Sequence, residues 1–405
     1  MFREIFRFEL RQQLRSPLFW LIAFALAAVA FGVASSDTIT LGGGIGNVHR
    51  NAPYVVAKML GEFSVIGLFL ITIFVAGAAL RDFSAGTAEL VFATPVSRRA
   101  YLGGRFAAGW LISVFVLVAV AFGLWLGSLM PWLDPARLGP TPWAAYGWSL
   151  AVLVLPNLFF LGALVFLLAT LTRSMLGAYV GVIGFFVLWA IAGATLGGGN
   201  VEHQTAGALM DPFGLGTFGL ATRYWTPADR NVLIPHLTGL MVGNRVLWLA
   251  VGAVLLAAAF ALFKTDREGL RLFRRRKRAI AFAAAPAANA ASIVLPSVSL
   301  RGGFAARCRQ FARLAWFDTR FVLGGVPFLG MLVFGLANLV GSLSLSGQMF
   351  GTSVWPVTHE MAQVMDGSFT WLLLLVVGFY AGELVWRERG ARVSEVVDAF
   401  PTPDW

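Results

Sequence analysis

Two segments of this chain combine opposite charges with a terminal proline, and each follows directly on a hydrophobic stretch. Residues 81–95 read RDFSAGTAELVFATP, and residues 387–401 read RERGARVSEVVDAFP. At an offset of 306, six of the fifteen positions are identical: Arg81/Arg387, Ala85/Ala391, Glu89/Glu395, Val91/Val397, Ala93/Ala399 and Pro95/Pro401. Asp82/Glu388 and Leu90/Val396 are conservative pairs. These residue types offer fixed charge rather than bond-making chemistry. An amphipathic helix that presents such charge at the mouth of a membrane span can seat in a groove of a soluble protein. The candidates for that role are Arg81, Asp82, Glu89, Pro95, Arg98 and Arg99, and in the second copy Arg387, Glu388, Glu395 and Pro401. Pro95 and Pro401 are expected to end the two helices. A solvated loop whose charges follow topology would explain one copy; recurrence at the same place favours docking.

Catalytic constellations are missing from the sequence. His359-Glu360-Met361-Ala362-Gln363 approaches the zinc motif H-E-x-x-H, but Gln363 stands where the second ligand belongs, so no metal site is expected. No G-x-x-x-x-G-K-[ST] loop is present, so ATP hydrolysis would have to belong to a partner. His49, His203, His236 and His359 are scattered through expected outer loops, where a satisfied surface histidine is the ordinary case. Cys308 is the single cysteine, which excludes an intrachain disulfide.

The elements that must hold the charged repeats are hydrophobic. Charged residues make up 13% of 405 and mean hydropathy is +0.76; a soluble domain carries about twice that charge. Eight continuous apolar runs are long enough to cross a bilayer: 17–34, 63–80, 106–130, 148–171, 175–197, 246–263, 321–343 and 369–386. Continuous rather than alternating runs disfavour membrane strands. The fold class is therefore all-α, a polytopic membrane helix bundle of about eight transmembrane helices. With the N-terminus placed in the cytoplasm, 25 of the 31 Lys and Arg fall on the inner side, leaving Arg50, Lys58, Arg137, Arg223, Arg230 and Arg245 outside. The net charge of +11 then reflects topology and anionic lipid, and no nucleic acid partner is expected. The tract Arg274-Arg275-Arg276-Lys277-Arg278 lies just after a span and fits lipid headgroups better than RNA or DNA.

Residues 1–15 read as an amphipathic surface helix with Phe2, Phe6, Leu10 and Leu14 on one stripe and Arg3, Arg7, Arg11 and Arg15 on another. It is either a positive-inside anchor or a lever to a cytoplasmic partner. Ser16-Pro17 supplies a cap and a first-turn proline for the first span. Pro156-Asn157 should kink the fourth span. Gly177 and Gly181 lie four apart in the fifth, a spacing that lets helices approach closely. The apolar pieces of the long outer loop, 198–243, are too short to span. Glu383 and Arg387 form an expected i,i+4 pair, and nothing else in the spans suggests a proton relay.

The organisation resolves into a six-span unit (1–278), an Ala/Pro-rich linker (279–305) and an incomplete second unit (306–405), in which Arg307 to Arg320 and Pro327 mirror Arg3 to Pro17. On this reading the chain is part of a longer or early-terminated protein.

Arg81 to Phe106, written R-D-x-x-x-G-T-A-E-L-x-x-A-T-P-V-S-R-R-x-Y-L-x-G-R-F, resembles ABC-2 type permeases, the membrane halves of ATP-driven exporters. DPFGL (211–215), TRYWTPADRN (222–231), NRVLWL (244–249) and GELVWRERGARVSEVVDAFPTPDW (382–405) resemble a subgroup of large bacterial permeases, some fused to a zinc aminopeptidase-like domain. The resemblance implies six spans per unit and a coupling helix at about 82–97 that docks on a separate ABC ATPase. ATP and magnesium would bind that partner, leaving this chain without a cofactor. It also implies pairing with a second permease unit, as a homodimer or in tandem, and a place in the bacterial inner membrane with the N-terminus cytoplasmic. The apolar midspans favour an amphipathic or laterally moving substrate. The alternative is a non-transporting scaffold that transmits motion to a periplasmic or fused peptidase-like partner. An intramembrane enzyme lacks paired polar catalytic residues.

Overall fold

The structure, a computed structural model, describes residues 1–36, 47–197, 201–263 and 303–325, with scattered positions between 328 and 384. It is an all-α helix bundle, as the apolar runs require. Helix α1 (Phe2–Leu14) leads into α2 (Pro17–Ser35). A long second span joins α3 (Pro53–Ile71) to α4 (Gly77–Ser84) through a π-helical turn, Thr72–Ala76. The short α5 (Ala88–Phe92) precedes α6 (Arg98–Gly127). Helix α7 (Trp143–Ser149) runs through a second π-turn, Leu150–Val154, into α8 (Leu155–Thr172), followed by α9 (Met175–Gly197). Three short helices, α10 (Val201–Met210), α11 (Leu215–Ala221) and α12 (Pro227–Val232), occupy the long loop before α13 (Gly239–Leu262). Helix α14 (Phe304–Leu323) covers the basic, aromatic segment after the linker. A two-residue strand pair, Gln348–Met349 with Thr352–Ser353, lies beyond it.

All six spans expected before the linker are helices. Their starts differ from the hydropathy runs. The second begins at Pro53 rather than 63, the third at Arg98 rather than 106, the fourth at Trp143 rather than 148 and the sixth at Gly239 rather than 246. Apolarity marks the stretch that lipid demands, whereas the helix runs on to its cap. The Ser97 side chain accepts from Ala100 N, and Thr238 accepts from Met241 N. Pro156, where a kink is expected, lies in the first turn of α8, directly after the π-turn Leu150–Val154. Of the two last expected spans, 321–343 and 369–386, only pieces fall among the described residues, and Glu383 lies outside them.

Helix α6 is central. Ile112, Val116, Leu117 and Val120 are fully buried along it, against Ile71 and Val75 of the second span and Leu158 and Leu161 of α8. Its closest neighbour is α2. A Cβ at Gly123 would collide with the Ala27 carbonyl, and one at Gly127 would come within 2.7 Å of the Phe31 oxygen. The close glycine seam is therefore Gly123-x-x-x-Gly127. Gly177 and Gly181 instead face Thr172 and Leu168 of α8 within the same chain. Helix α13 lies along α8, where Trp248 meets Phe160 edge-on at 4.8 Å.

Candidate functional site

The first charged repeat forms the tip of a helical hairpin. Helix α4 stops at Ser84, and Gly86 adopts φ +71, the left-handed conformation that glycine takes without a Cβ clash. Thr87 N then bonds back to the Asp82 carbonyl at 2.9 Å, and one short turn, α5, follows. The helix ends at Phe92, three residues before Pro95, because Thr94 Oγ1 donates to the Val91 carbonyl and turns the chain. Pro95 thus lies in the link to α6 rather than at the end of a helix spanning 82–97. Glu89, Pro95, Arg98 and Arg99 are exposed around Leu90, which is 73% accessible. Arg98 also donates to the Phe263 carbonyl at 3.3 Å.

The opposite face of α5 is anchored by rings. Phe92 packs edge-on to Tyr101 of α6 at 5.1 Å and to Phe263 at the end of α13 at 5.9 Å, with Phe83 of α4 at 6.0 Å. The Arg173 guanidinium covers Phe83 at 4.2 Å and Phe263 at 5.4 Å. Arg173 has φ 51 where α8 turns into α9. Phe92 therefore ties α5 to α4, α6 and the end of α13, and Arg173 adds the α8–α9 turn through Phe83 and Phe263.

Directly above this cage the charges of the repeat turn inward. Asp82 is buried; it accepts from Tyr101 Oη at 2.7 Å and from Arg105 Nη2 at 2.5 Å. Arg105 Nη1 pairs with Glu9 of α1. Glu9, with no exposed surface, also accepts from Arg81 Nη2 at 2.5 Å and from Gln13 Nε2 at 2.8 Å. Gln13 reaches on to the Phe74 carbonyl in the π-turn at 3.3 Å. Two carboxylates and two guanidiniums balance one another in a largely buried site, the arrangement that buried charge requires. Gly104 makes the approach possible: a Cβ there would lie 2.9 Å from Ile5 and 3.2 Å from the Phe6 nitrogen.

Of the residues singled out in the sequence, Arg81 and Asp82 are thus joined to this internal network, while Glu89, Arg98 and Arg99 face outward. Arg387, Glu388, Glu395 and Pro401 lie outside the described residues. Phe2 and Phe6 of α1 stack at 6.1 Å, and Arg3, Arg7, Arg11 and Arg15 are exposed. The buried face of α1 carries Glu9 and Gln13, which sequence reasoning passed over. Tyr101, Arg105 and Gly104 stood inside the quoted motif, and the structure supplies the reason for their types.

A second polar centre lies about 22 Å along α8 from Thr172, at ~1.5 Å per residue. Arg245 is buried in α13, not in an outer loop as its position after the long loop implied. Its Nη1 donates to Asn157 Oδ1 at 2.8 Å and its Nε to Asn244 Oδ1 at 2.9 Å. Asn157 Nδ2 donates to Ser64 Oγ at 2.7 Å and to the Phe213 carbonyl at 3.0 Å. Asp211 organises the same loop, accepting from Gly216 N at 2.8 Å and Trp189 Nε1 at 3.1 Å. The DPFGL and NRVLWL strings meet here, which their separation in sequence concealed.

A family model described as ABC-2 family transporter protein matches residues 3–267, well over half of the chain. The chain belongs to the ABC-2 transporter family. It is a multi-pass membrane permease component of an ABC transporter, and the matched region includes both polar centres and α5. No match to the permease was found among curated proteins.

Proposed function

We propose that the permease is the membrane-spanning subunit of an ATP-driven exporter, and that a separate ABC ATPase docks on α5 and its flanks. The observation that carries this is the two-faced construction of α5. Leu90 and Glu89 stand exposed, as do Arg98 and Arg99 at the start of α6, while Phe92 is held by rings from α4, α6 and the end of α13. A push on the exposed face reaches the bundle through Phe92, and passes through Asp82, Arg105 and Glu9 to α1. In this arrangement α1, α5 and the linker side face the cytoplasm of a bacterial cell, as the distribution of Lys and Arg supports. ATP and magnesium belong to the ATPase. A second permease unit, from another copy or in tandem, completes the pathway. Substrate passes between the units as an amphipathic molecule.

The direct test is co-purification of the ATPase from native membranes with wild-type and Glu89→Lys permease, read together with vanadate-sensitive ATP hydrolysis. Reversal of one exposed charge should weaken co-purification and stimulation while leaving the fold intact. Unchanged association and hydrolysis would remove the docking assignment. Transport of a small hydrophilic ion by the reconstituted complex would remove the assignment of an amphipathic substrate.

A further inference from the structure

An open cavity of about 1020 Å³ lies between α1 and the second span, away from the ring-anchored α5. Arg7, Arg11 and Arg15 line it from α1 and Arg81 from α4. The guanidinium groups of the three α1 arginines make no ion pair among the described residues. Arg81 uses Nη2 on Glu9, but its Nε has no hydrogen-bond partner. Glu4 is the one carboxylate on the wall, so positive charge predominates.

Gln12, Gln13, Ser16 and Ser84 add neutral polar groups, and the apolar part of the wall comes from Phe8 of α1 and from membrane-spanning segments. Leu18 begins α2, and Ile73 and Phe74 come from the π-turn within the second span. Beyond Leu18, the face of α2 bearing Trp20, Leu21 and Phe24 is exposed. The cavity is therefore basic where α1 lies and apolar where the spans begin. That gradient matches an amphiphile with an anionic head. Guanidinium donors recognise phosphate oxygens in bidentate fashion, and a free inorganic ion would leave the apolar wall unused.

We propose that this cavity is a binding site for the phosphate headgroup of an anionic phospholipid, with its acyl chains lying along the exposed face of α2. Bound there, the lipid bridges α1 to the second span, beside the Glu9–Arg81 pair.

The test uses the full chain purified in detergent, with native mass spectrometry to read retained phosphatidylglycerol against phosphatidylcholine of the same acyl chains. The variant Arg7→Gln/Arg11→Gln/Arg15→Gln should lose phosphatidylglycerol retention by about tenfold or more, since each basic residue near a membrane surface contributes measurably to anionic-lipid attraction. The Arg3→Gln/Arg99→Gln variant removes positive charge outside the cavity and should retain the lipid to within about twofold. The corresponding triple Lys variant should keep the preference for phosphatidylglycerol, which separates loss of charge from loss of fold. Equal loss in the cavity and control variants, or equal retention of the two lipids by wild type, would overturn the site. Displacement of the lipid by millimolar inorganic phosphate would assign the cavity to a free anion and overturn the lipid assignment.

Discussion

Glu9 and Arg105 are 96 positions apart in the chain and form a buried ion pair that joins the N-terminal helix to the third span. The pair is the midpoint of a chain of contacts running from Gln13 through Glu9 and Arg105 to Asp82 and Tyr101. A buried ion pair adds little net stability over an apolar replacement, but loss of one partner strands the other charge. Its value here is positional, since α1 and α4 are fixed to the same guanidinium.

Removing both charges of this pair should therefore cost less than the two single removals added together. Glu9→Gln alone is expected to destabilise the permease by about 3–5 kcal/mol, and Glu9→Gln/Arg105→Gln by clearly less than the summed single effects. Thermal unfolding of the four proteins in detergent gives the cycle. Additive effects would mean that the two groups do not interact.

Phe92 should separate docking from transmission. Phe92→Ala empties the space between Tyr101, Phe83 and Phe263 and forfeits aromatic pairs of about 0.5–1.5 kcal/mol each. The expected outcome is an ATPase that still co-purifies with the permease but is less tightly linked to transport. ATP hydrolysed per substrate moved, measured in vesicles, should rise in Phe92→Ala and return part of the way in Phe92→Leu. An unchanged ratio would show that the cage carries no force.

The α2–α6 seam makes a purely steric prediction. Gly123→Ala sets a methyl against the Ala27 carbonyl and should destabilise by about 1–3 kcal/mol. Gly184→Ala, with nothing within 4 Å of the added atom, should stay within about 0.5 kcal/mol of wild type. Unfolding midpoints of the two variants, compared side by side, decide it.

At the second polar centre, Asn157→Leu withdraws an acceptor from the buried Arg245 guanidinium and also a donor to Ser64 and the Phe213 carbonyl. A hydrogen bond to a charged group contributes about 1.5–3 kcal/mol, so a loss of at least that size is expected. Asn157→Asp keeps an acceptor for Arg245 and supplies it with opposite charge, and should be better tolerated than Asn157→Leu. The reverse order in expression level and thermal stability would contradict the assigned contacts.

Outside the spans, Thr226 and Asp229 form a capping box at the start of α12. Hydrogen bonds from the Thr226 hydroxyl and backbone N–H hold the Asp229 carboxyl below its usual range. The folded value being the lower one, the cap contributes fully above the ordinary carboxylate range and is lost as pH falls through the depressed value. Amide exchange in α12, corrected for its intrinsic pH dependence, should accelerate only in that acid window. Asp229→Asn should abolish that acid-dependent step.

Much of this protein was legible before its tertiary structure. Long apolar runs must become helices, because a backbone polar group left unpaired in lipid is too costly, so all six spans ahead of the linker could be placed. The periodicity of residues 2–14 announced α1, and the charged repeat marked the hairpin tip. Helix starts were less legible: Pro53, Ser97 and Thr238 act through local capping geometry that hydropathy does not register.

Sequence alone determined that this is a helical membrane protein, which stretches ahead of the linker become its long helices and which segment stands apart as charged. Tertiary structure decided which of those charges are internal. Asp82 and Glu89 lie seven residues apart in one motif, yet one is buried against Arg105 and the other faces outward. Glu9 looked like an ordinary residue of a surface helix. Only the approach of α1 over Gly104 gives it Arg81 and Arg105 as partners, and a charge can remain buried only where such partners converge. Residues that distant in the chain meet through packing, and packing is a property of the whole bundle rather than of any window of sequence.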